Sequence, residues 1–342
     1  MNDAATSPTL QISRGADYSR ILAVGGYRPR RSVTNAEICT MIDSSDEWIQ
    51  TRSGIKERRW AEPDETIQMM AVAAGRHALS KIDLAPGQID AVIISTVTHF
   101  HATPAIATRI AAELGAKGAA AFDISAACAG FCYGVAMADS MIRTGTARHV
   151  LVIGVERLSD ITDKHDRGTA FLFADGAGAA VVGPSETPGI GPVVWGSDGD
   201  QADLITQTAA FDEAARQVGP THQDFPTLRM DGNPVFRWAS YTMAKVAAEA
   251  MDRAGVTPDQ IDVFAPHQAN LRIVDAMFRA LKLPERVVIA RDIEYQGNTS
   301  AASIPLAIDA LLASGEAHSG QIALIIGFGA GLVYAGQVIV LP

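Results

Sequence analysis

The chain has 342 residues, of which 48% are hydrophobic, so it can bury a large core as two domains or one large two-part fold. Its formal net charge of −10 argues against a general nucleic-acid or anionic-membrane binder, because either would need a broadly basic surface. Three cysteines, Cys39, Cys128 and Cys132, cannot all pair and show no metal-ligand spacing, so a reduced cytoplasmic protein with free thiols is expected.

Neither end of the chain is predicted to be a targeting or membrane segment. Residues 1–17 lack the apolar core of a signal peptide and are predicted to form a flexible tail. Residues 322–342 carry no charge and are long enough to span a bilayer. Their Gly-X-Gly-X-Gly core favours two buried strands joined by a tight glycine turn, so no membrane contact is expected.

The predicted elements alternate between strands and helices along the chain. Ser44-x-x-Glu47 is typical of a capping box and predicts a short helix that carries Trp48 and Arg52 four residues apart. Further on, the β-rich runs AVIIS, VLVIGV and GAAVVG, and later VFAP, ALIIG and YAGQVIV, are separated by helical patterns. This alternation predicts an α/β fold with mainly parallel, buried strands.

An internal repeat divides the chain into two halves. LAPGQIDAVIIST at 84–96 resembles VTPDQIDVFAPHQ at 256–268, and HVLVIGV from residue 149 resembles QIALIIG from residue 321, both at an offset of 172 residues. In each half a small-residue segment leads into an apolar helix that must be surrounded by protein. We predict an N-terminal half at 18–185 and a C-terminal half at 186–342, with central buried helices between the sheets. Residues 186–230 read as a loop-rich connection.

Cys128 follows the predicted strand FDIS, at the start of the first of these apolar helices. In the first turn of a helix, free backbone N–H groups and the positive helix end favour a thiolate, which is the nucleophilic form. The alternative is that Cys128 is a small buried apolar residue, as we expect for Cys132.

His267 and Asn298 can each be interpreted either as a functional or as a structural residue. His267 ends a buried strand, where ligand sites gather in α/β sheets, or it is a hydrogen-bonded structural histidine. Asn298 precedes the second apolar helix, where helix capping explains an asparagine. If a pseudo-twofold axis relates the halves, the starts of the two helices face one another and the three side chains converge.

Two other patterns resemble cofactor or metal sites but lack the context that such sites need. DGAGAAV and GFGAG resemble parts of a dinucleotide fingerprint, but each leads into a strand, so no phosphate would meet a helix N-terminus. HFH at 99–101 has alternate histidines without further convergent ligands. Neither NAD nor a metal site is expected.

Four segments, ISAACAGF, APHQANLRI, GNTSAAS and GFGAG, resemble the active-site segments of β-ketoacyl-acyl carrier protein synthase III, the condensing enzyme that starts bacterial type II fatty acid synthesis. The similarity runs from about Tyr18 to the C-terminus and includes SSDEWIQTRSGIKER and DRGTAFLFADGAGAAV. The resemblance implies a duplicated thiolase-like fold, a homodimer, and a decarboxylative Claisen condensation of an acyl-CoA primer with malonyl-acyl carrier protein. It implies no cofactor, since acyl-CoA is a substrate.

The resemblance also assigns roles to residues. Cys128 would take the acyl group, His267 and Asn298 would bind the malonyl thioester oxygen, and the backbone N–H groups of Cys128 and Ala330 would form the oxyanion hole. The predicted CoA-binding residues are Trp48, Arg52, Arg167, Gly232, Asn233, Phe236, Ala269 and Asn270, with the adenine ring between Trp48 and Arg167. The predicted carrier-protein contacts are Arg237, Arg272 and Arg279. Thr103 would reach from the partner subunit into the acyl pocket.

Two other functions remain open on the sequence. The first is a related condensing enzyme or acyltransferase that supplies a starter unit in polyketide or other secondary metabolism. The second is an inactive scaffold or partner subunit that keeps the fold, against which the intact set of Cys128, His267 and Asn298 argues.

Overall fold

The computed structural model describes residues 10–216 and 225–342. The strands are β1 (Tyr18–Tyr27), β2 (Arg31–Thr34), β3 (Glu57–Trp60), β4 (Ala91–Ser95), β5 (Ala120–Ile124), β6 (Val150–Arg157), β7 (Asp175–Ser185), β8 (Val194–Ser197), β9 (Ile205–Gln207), β10 (Leu228–Met230), β11 (Val263–Pro266), β12 (Val288–Ile289), β13 (Ile322–Gly329) and β14 (Val333–Val340). The helices are α1 (Asn35–Ile38), α2 (Asp46–Ser53), α3 (Ile67–Leu79), α4 (Ile106–Leu114), α5 (Gly130–Thr144), α6 (Phe211–Arg216), α7 (Gly232–Arg237), α8 (Met243–Arg253), α9 (Leu271–Ala280), α10 (Ile293–Gln296) and α11 (Ser303–Ser314).

Two five-stranded sheets have the same strand order. The first runs β5-β4-β6-β7-β1 and the second runs β12-β11-β13-β14-β8. In each sheet the first three strands are parallel, the fourth is antiparallel to the third, and the fifth is antiparallel to the fourth. Four of the five strands therefore point the same way. The predicted α/β class and the duplication are confirmed, with one reversed strand in each sheet.

The repeat extends to local detail. A 3₁₀ turn precedes β4 at Pro86–Gln88, and another precedes β11 at Pro258–Gln260. In both turns the glutamine side-chain carbonyl accepts a hydrogen bond from a backbone N–H at 2.9 Å, that of Ala85 or of Thr257. The sequence similarity at the offset of 172 residues thus reports equivalent structure.

Helices α5 and α11 lie between the two sheets and form the central layer. Their apolar side chains share one buried cluster with residues of both sheets, from Ile93 and Val152 in the first to Ala265 and Ile325 in the second. Helices α3 and α4 cover the outer face of the first sheet, and α8 and α9 cover that of the second. This burial on all sides explains why α5 carries no charge before Asp139.

Each central helix begins against the sheet of the opposite half. The 3₁₀ turn before α5 (Ala127–Ala129) packs on β13, and the turn before α11 (Ser300–Ala302) packs on β6. A Cβ at Gly154 of β6 would lie 2.1 Å from the carbonyl oxygen of Ala301, and one at Gly327 of β13 would lie 2.8 Å from Cα of Ala129. Glycine is therefore required for both approaches. The two halves exchange equivalent contacts across a common centre.

The C-terminal end of the chain forms the predicted strands, and the described parts of the tail and of the connection are more ordered than the sequence predicted. Strands β13 and β14 form the expected glycine-linked antiparallel pair, and in residues 10–216 and 225–342 no helix reaches the length and apolar character of a membrane span. Within the predicted tail, the Ser13 hydroxyl donates to the Thr144 carbonyl at 2.8 Å and the Ala16 N–H donates to that of Ile142, so this stretch contacts α5. Residues 1–9 lie outside the described residues. The predicted connection at 186–230 contains β8, β9, α6 and β10, and its residues 217–224 are not described.

Candidate active site

Cys128, His267 and Asn298 line one cavity of about 360 Å³. The cavity lies where the two 3₁₀ turns meet the carboxyl ends of β11 and β13. Its wall also includes Phe328, Gly329 and Ala330 of the GFGAG segment. The convergence expected from the pseudo-twofold relation of the halves is therefore present.

Cys128 lies in the middle of the turn that precedes α5. Ala127, just before it, has a φ of 43°, which turns the chain so that the thiol faces the cavity. Gly329 packs against it so closely that a Cβ there would lie 3.1 Å from the Cys128 sulfur. Burial raises the pKa of the Cys128 thiol to about 12, despite an opposing interaction with the Ser300 side chain. The helix end by itself would favour a thiolate, but in the unliganded chain desolvation by burial outweighs it. Cys132 is fully buried in the core, as expected.

His267 is held by hydrogen bonds at both its backbone and its ring. Its N–H donates to the Ile326 carbonyl at 2.8 Å, its Nδ1 lies 2.7 Å from Oγ of Ser303, and the ring meets Phe328 edge-on with centroids 5.3 Å apart. Ser303 Oγ also accepts the N–H of Gln268 at 3.3 Å, and we assign its own proton to the bond with Nδ1. This tautomer places the ring proton on Nε2. Burial lowers the pKa of His267 to about 3, so the imidazole is neutral at physiological pH.

Asn298 joins the two halves through its backbone. Its N–H donates to the Leu172 carbonyl and its carbonyl accepts the N–H of Ala174, both at 2.9 Å. Its side-chain Oδ1 accepts the N–H of Ser300, two residues on, at 2.9 Å. The predicted helix cap is wrong, because α11 begins only at Ser303 and neither α11 nor the 3₁₀ turn before it has a side-chain cap. Because a backbone N–H can only donate, the atom it meets must be oxygen, and Nδ2 is left as a donor for the cavity.

Most of the predicted CoA-binding residues lie on the same cavity wall; these are Arg52, Gly232, Asn233, Phe236, Ala269 and Asn270. Asn270 caps α9 by accepting the N–H of Arg272 at 2.9 Å, and its Nδ2 donates to the Arg52 carbonyl at 3.0 Å. The start of α9 is therefore attached to the end of α2.

Trp48 and Arg167 contact each other outside the lining of the cavity. The Arg167 guanidinium carbon lies 4.5 Å from the Trp48 ring centroid, and Arg167 Nε donates to the Asp43 carbonyl at 2.7 Å. A ring between them would need a separation of about 7 Å, which is two van der Waals distances of about 3.5 Å. In the unliganded chain the pair is closed.

Three other sequence expectations have different outcomes. Helix α2 is capped by Ser45, which accepts the N–H of Trp48 at 3.1 Å, so the predicted capping box at Ser44 and Glu47 is wrong by one residue. Arg237, Arg272 and Arg279 are all exposed, and Arg272 lies over the Phe236 ring at 5.0 Å. Thr103 is exposed and is not part of the cavity wall of its own chain.

The sequence reasoning missed three polar residues near Cys128 and His267. Glu156, at the end of β6, is fully buried and accepts hydrogen bonds from the Thr98 hydroxyl at 2.6 Å and from the Val97 N–H at 3.1 Å. Ser300 and Ser303 lie on the turn and the first residue of α11. The available signal was an acid at the carboxyl end of the otherwise apolar run VLVIGVE. Ser300 and Ser303 gave no sequence signal other than their position in the internal repeat.

Two family models match the chain. One is described as "3-Oxoacyl-[acyl-carrier-protein (ACP)] synthase III" and covers residues 122–199, and the other is its C-terminal domain and covers residues 251–341. A β-ketoacyl-acyl-carrier-protein synthase III of Streptomyces coelicolor is 58% identical over 97% of this chain and 99% of the relative. The mycobacterial β-ketoacyl-acyl-carrier-protein synthase III of Mycobacterium avium is 55% identical over 97% and 98%.

Solved structures give the same result. The priming β-ketosynthase from the R1128 polyketide biosynthetic pathway has a TM-score of 0.94 and 51% identity, covering 98% of this chain and 99% of that chain. The 3-oxoacyl-acyl-carrier-protein synthase III from Aquifex aeolicus has a TM-score of 0.86 and 38% identity, with coverage of 94% and 99%. The duplicated fold thus coincides with that of known condensing enzymes.

The low pKa of His267 should be visible in stability. The pKa of about 3 in the folded chain is below the ordinary value of 6.5, so the neutral ring contributes stability that is present above pH 6.5 and lost as the pH falls. Between pH 7.5 and 5.0, the free energy of unfolding of the wild type should fall by about 2 kcal/mol more than that of His267→Gln. Denaturant titrations at the two pH values measure this difference. Other groups titrate in both proteins and cancel, so equal losses would contradict a neutral buried His267.

Proposed function

The chain belongs to the β-ketoacyl-acyl-carrier-protein synthase III family of condensing acyltransferases, and we propose a division of its reaction among the cavity residues. The reaction condenses an acyl group from acyl-CoA with malonyl-acyl carrier protein, and carbon dioxide leaves. The observation that carries the proposal is a single cavity lined by a thiol, a neutral imidazole and an amide, Cys128, His267 and Asn298. Thioester exchange needs only a nucleophile and hydrogen-bond donors, so acyl-CoA enters as a substrate and no cofactor takes part.

In the first step Cys128 attacks the thioester carbonyl of acyl-CoA. The attack forms a tetrahedral oxyanion and then an acyl-cysteine, with CoA as the leaving group. The backbone N–H groups of Cys128 and Ala330 are the proposed oxyanion donors, since both residues line the cavity where Gly329 abuts Cys128. The backbone of Ala330 makes this contact, so its methyl group takes no part in it.

In the second step the malonyl thioester loses carbon dioxide. Negative charge develops on the thioester oxygen, and donors fixed before the reaction stabilise it. His267 Nε2–H and Asn298 Nδ2–H are such donors, because Ser303 and the Ser300 N–H occupy the other polar atom of each side chain. The resulting carbanion attacks the acyl-Cys128 carbonyl.

The pathway served by this chemistry has two candidates. We propose initiation of fatty acid synthesis in the cytoplasm, in keeping with the names of the curated relatives and the free cysteines. The alternative is starter-unit supply in polyketide synthesis, which is favoured by the similarity to the R1128 priming ketosynthase. Neighbouring genes for a fatty-acid carrier protein and a malonyl transferase would support the first.

The two half-reactions should separate by mutation. Cys128→Ala should form no acyl adduct, which is measured from the mass of the peptide containing residue 128 after incubation with acyl-CoA. The same variant should still release carbon dioxide from malonyl-carrier protein. His267→Ala and Asn298→Ala should lose about 10²- to 10³-fold in carbon dioxide release, because each removes a donor to the developing charge. The absence of any acyl-Cys128 in the wild type, or wild-type decarboxylation in either donor variant, would refute the proposed roles.

We propose that Trp48 and Arg167 hold the adenine ring after they separate. Trp48→Ala should lower kcat/KM for acyl-CoA about tenfold, because one aromatic stack is worth roughly 1–3 kcal/mol and the Arg167 stack already present offsets part of it. Acyl-pantetheine, which lacks the adenine, should react equally with wild type and variant. The control is Trp195→Ala, because this exposed tryptophan contacts Tyr133 and lies away from the cavity wall. Equal losses with both substrates would argue against an adenine site.

Arg237, Arg272 and Arg279 are proposed to receive the acidic carrier protein. Arg279→Glu, alone and with Arg272→Glu, should slow the reaction with malonyl-carrier protein at low salt far more than acylation by acyl-CoA, because rim charges act mainly on association. The single variant is needed because Arg272 also contacts Phe236. Arg148→Glu, at the amino end of β6, is the matched control. A similar slowing in both half-reactions would count against the surface.

We further propose a homodimer in which β5 pairs with its copy. Among the described residues β5 has a strand neighbour on one side only, and Phe122 and Ile124 on it are incompletely covered. Asp123 of β5 accepts the N–H groups of Ile106 and Ala107 at 2.8 and 2.9 Å, which places the Thr103 segment beside this edge. Thr103 can then close the acyl pocket of the partner subunit.

Thr103 should set the size of the primer. A threonine leaves room for extra methylene groups, each worth roughly 0.8 kcal/mol when buried, so isobutyryl- and butyryl-CoA should exceed acetyl-CoA in kcat/KM by about tenfold. Thr103→Phe should reverse this preference, while sedimentation should show an unchanged dimer. A monomer, or an unchanged primer profile in the variant, would refute the pocket assignment.

A further inference from the structure

A fully buried carboxyl group lies next to the proposed nucleophile without a role in the steps above. Glu156 accepts hydrogen bonds from the hydroxyls of Thr96 and Thr98 at 3.3 and 2.6 Å and from the Val97 N–H at 3.1 Å. Among residues 10–216 and 225–342 no lysine, arginine or histidine forms an ion pair with it. Burying a carboxyl group without a cation is costly to the folded state, so its position beside the site calls for an explanation.

Ser300 connects this carboxyl group to the cavity. It lines the cavity together with Cys128, and its turn packs both on the Cys128 turn and on β6, the strand that carries Glu156. Its side chain opposes the rise that burial causes in the pKa of the Cys128 thiol and of the Glu156 carboxyl. Two contacts fix it: its N–H donates to Asn298 Oδ1 at 2.9 Å, and the next residue, Ala301, packs on Gly154. Its φ of 49° matches the 43° of Ala127 at the equivalent turn of the other half. A hydroxyl in this position can accept one proton and pass on another.

We propose that Glu156 accepts the proton of Cys128 through the Ser300 hydroxyl during acyl transfer, an inference that rests on the proposed function. The S–H bond of Cys128 breaks as its proton moves to Ser300 Oγ, and the Ser300 proton moves to a Glu156 oxygen. The sulfur electron pair forms the bond to the acyl carbon. When the bond from that carbon to the CoA sulfur breaks, its electron pair leaves on CoA, which takes the proton back from Glu156 through Ser300.

The other groups near the thiol do not fit this task. His267 Nδ1 is occupied by Ser303 and its Nε2 carries the ring proton, so the imidazole donates to the cavity and does not accept. The side chains that face Glu156 from β4 and the segment after it are hydroxyls, Thr96 and Thr98, and from the turn before α11 it is Ser300. The Glu156 charge contributes to the raised pKa of the Cys128 thiol. Burial raises the pKa of Glu156 to about 7, so near neutral pH it can both take and return a proton.

The test is the pH profile of Cys128 modification between about pH 5.5 and 8.5. Acylation by acyl-CoA is followed in a single turnover, and alkylation by iodoacetamide is followed separately on the Cys128 peptide. In the wild type both rates should rise about tenfold per pH unit and level off near the Glu156 pKa of about 7.

The variants should change this profile. Glu156→Gln should lower both rates about 10²-fold at neutral pH, and the rates should rise with pH without a plateau. Ser300→Ala should show the same loss and the same missing plateau. This substitution should keep the backbone in place, because Ala127 has a similar positive φ at the equivalent turn. Glu156→Asp should regain part of the rate and the plateau.

The matched control is Asp175→Asn. Asp175 is also a buried carboxyl, with a pKa raised by burial to about 6, and it accepts bonds from Ala61 and Ser159. Its variant should keep the wild-type profile. A second readout is carbon dioxide release in a Cys128→Ala background, which Glu156→Gln should leave unchanged because that step needs no thiol proton.

Three results would overturn the proposal: a Glu156→Gln profile like that of the wild type, an equal loss in Asp175→Asn, or a loss of carbon dioxide release in the double variant. The first shows that Glu156 takes no proton, and the other two show a general structural effect. If the wild type forms no acyl-Cys128, the proposed function fails. The alkylation profiles still decide whether Glu156 accepts the thiol proton.

Discussion

The contact of each central-helix turn with the sheet of the opposite half is the constraint on which the site depends. Gly154 and Gly327 let the turns approach to distances at which any side chain would collide, so neither turn can shift without moving a buried strand. Cys128 lies on one turn and Ser300 on the other, and Asn298 is attached to Leu172 and Ala174 across the same boundary. The catalytic geometry is thus part of the packing between halves and not of any single loop.

Burial at this boundary also sets the protonation of the site. The same loss of water raises the pKa of the Cys128 thiol to about 12, lowers that of His267 to about 3 and raises that of Glu156 to about 7. All three shifts favour the neutral forms of these side chains. In such an environment fixed N–H donors act strongly on charge that appears during a reaction.

The features that the sequence predicted correctly depend on the internal repeat or on the periodic spacing of apolar residues. The alternating runs and the offset of 172 residues defined the two sheets, and the small residues before α5 and α11 indicated the buried helix starts. The position of His267 at the end of β11 followed from the same argument. These patterns are local in sequence, and they determine the three-dimensional arrangement because the fold is duplicated.

What the sequence did not predict depends on distant contacts. The thiolate expected at Cys128 followed from the local helix end, whereas the observed shift comes from protein packed around it by both halves. Ser45 caps α2 in place of Ser44, a difference of one residue that only backbone dihedrals decide. Ser303 is unremarkable in sequence, and it matters because it meets a ring 36 residues away in the chain.

The closed contact of Trp48 with Arg167 has a thermodynamic consequence for any planar ligand. Such a ligand does not add a stack to an empty surface but replaces one, so its net gain is the difference between two stacking free energies. Anything that weakens the contact between the indole and the guanidinium, without touching the ligand, therefore tightens binding. Conversely, the hydrogen bond of Arg167 to the Asp43 carbonyl favours the unliganded arrangement and acts as a competitor inside the same molecule.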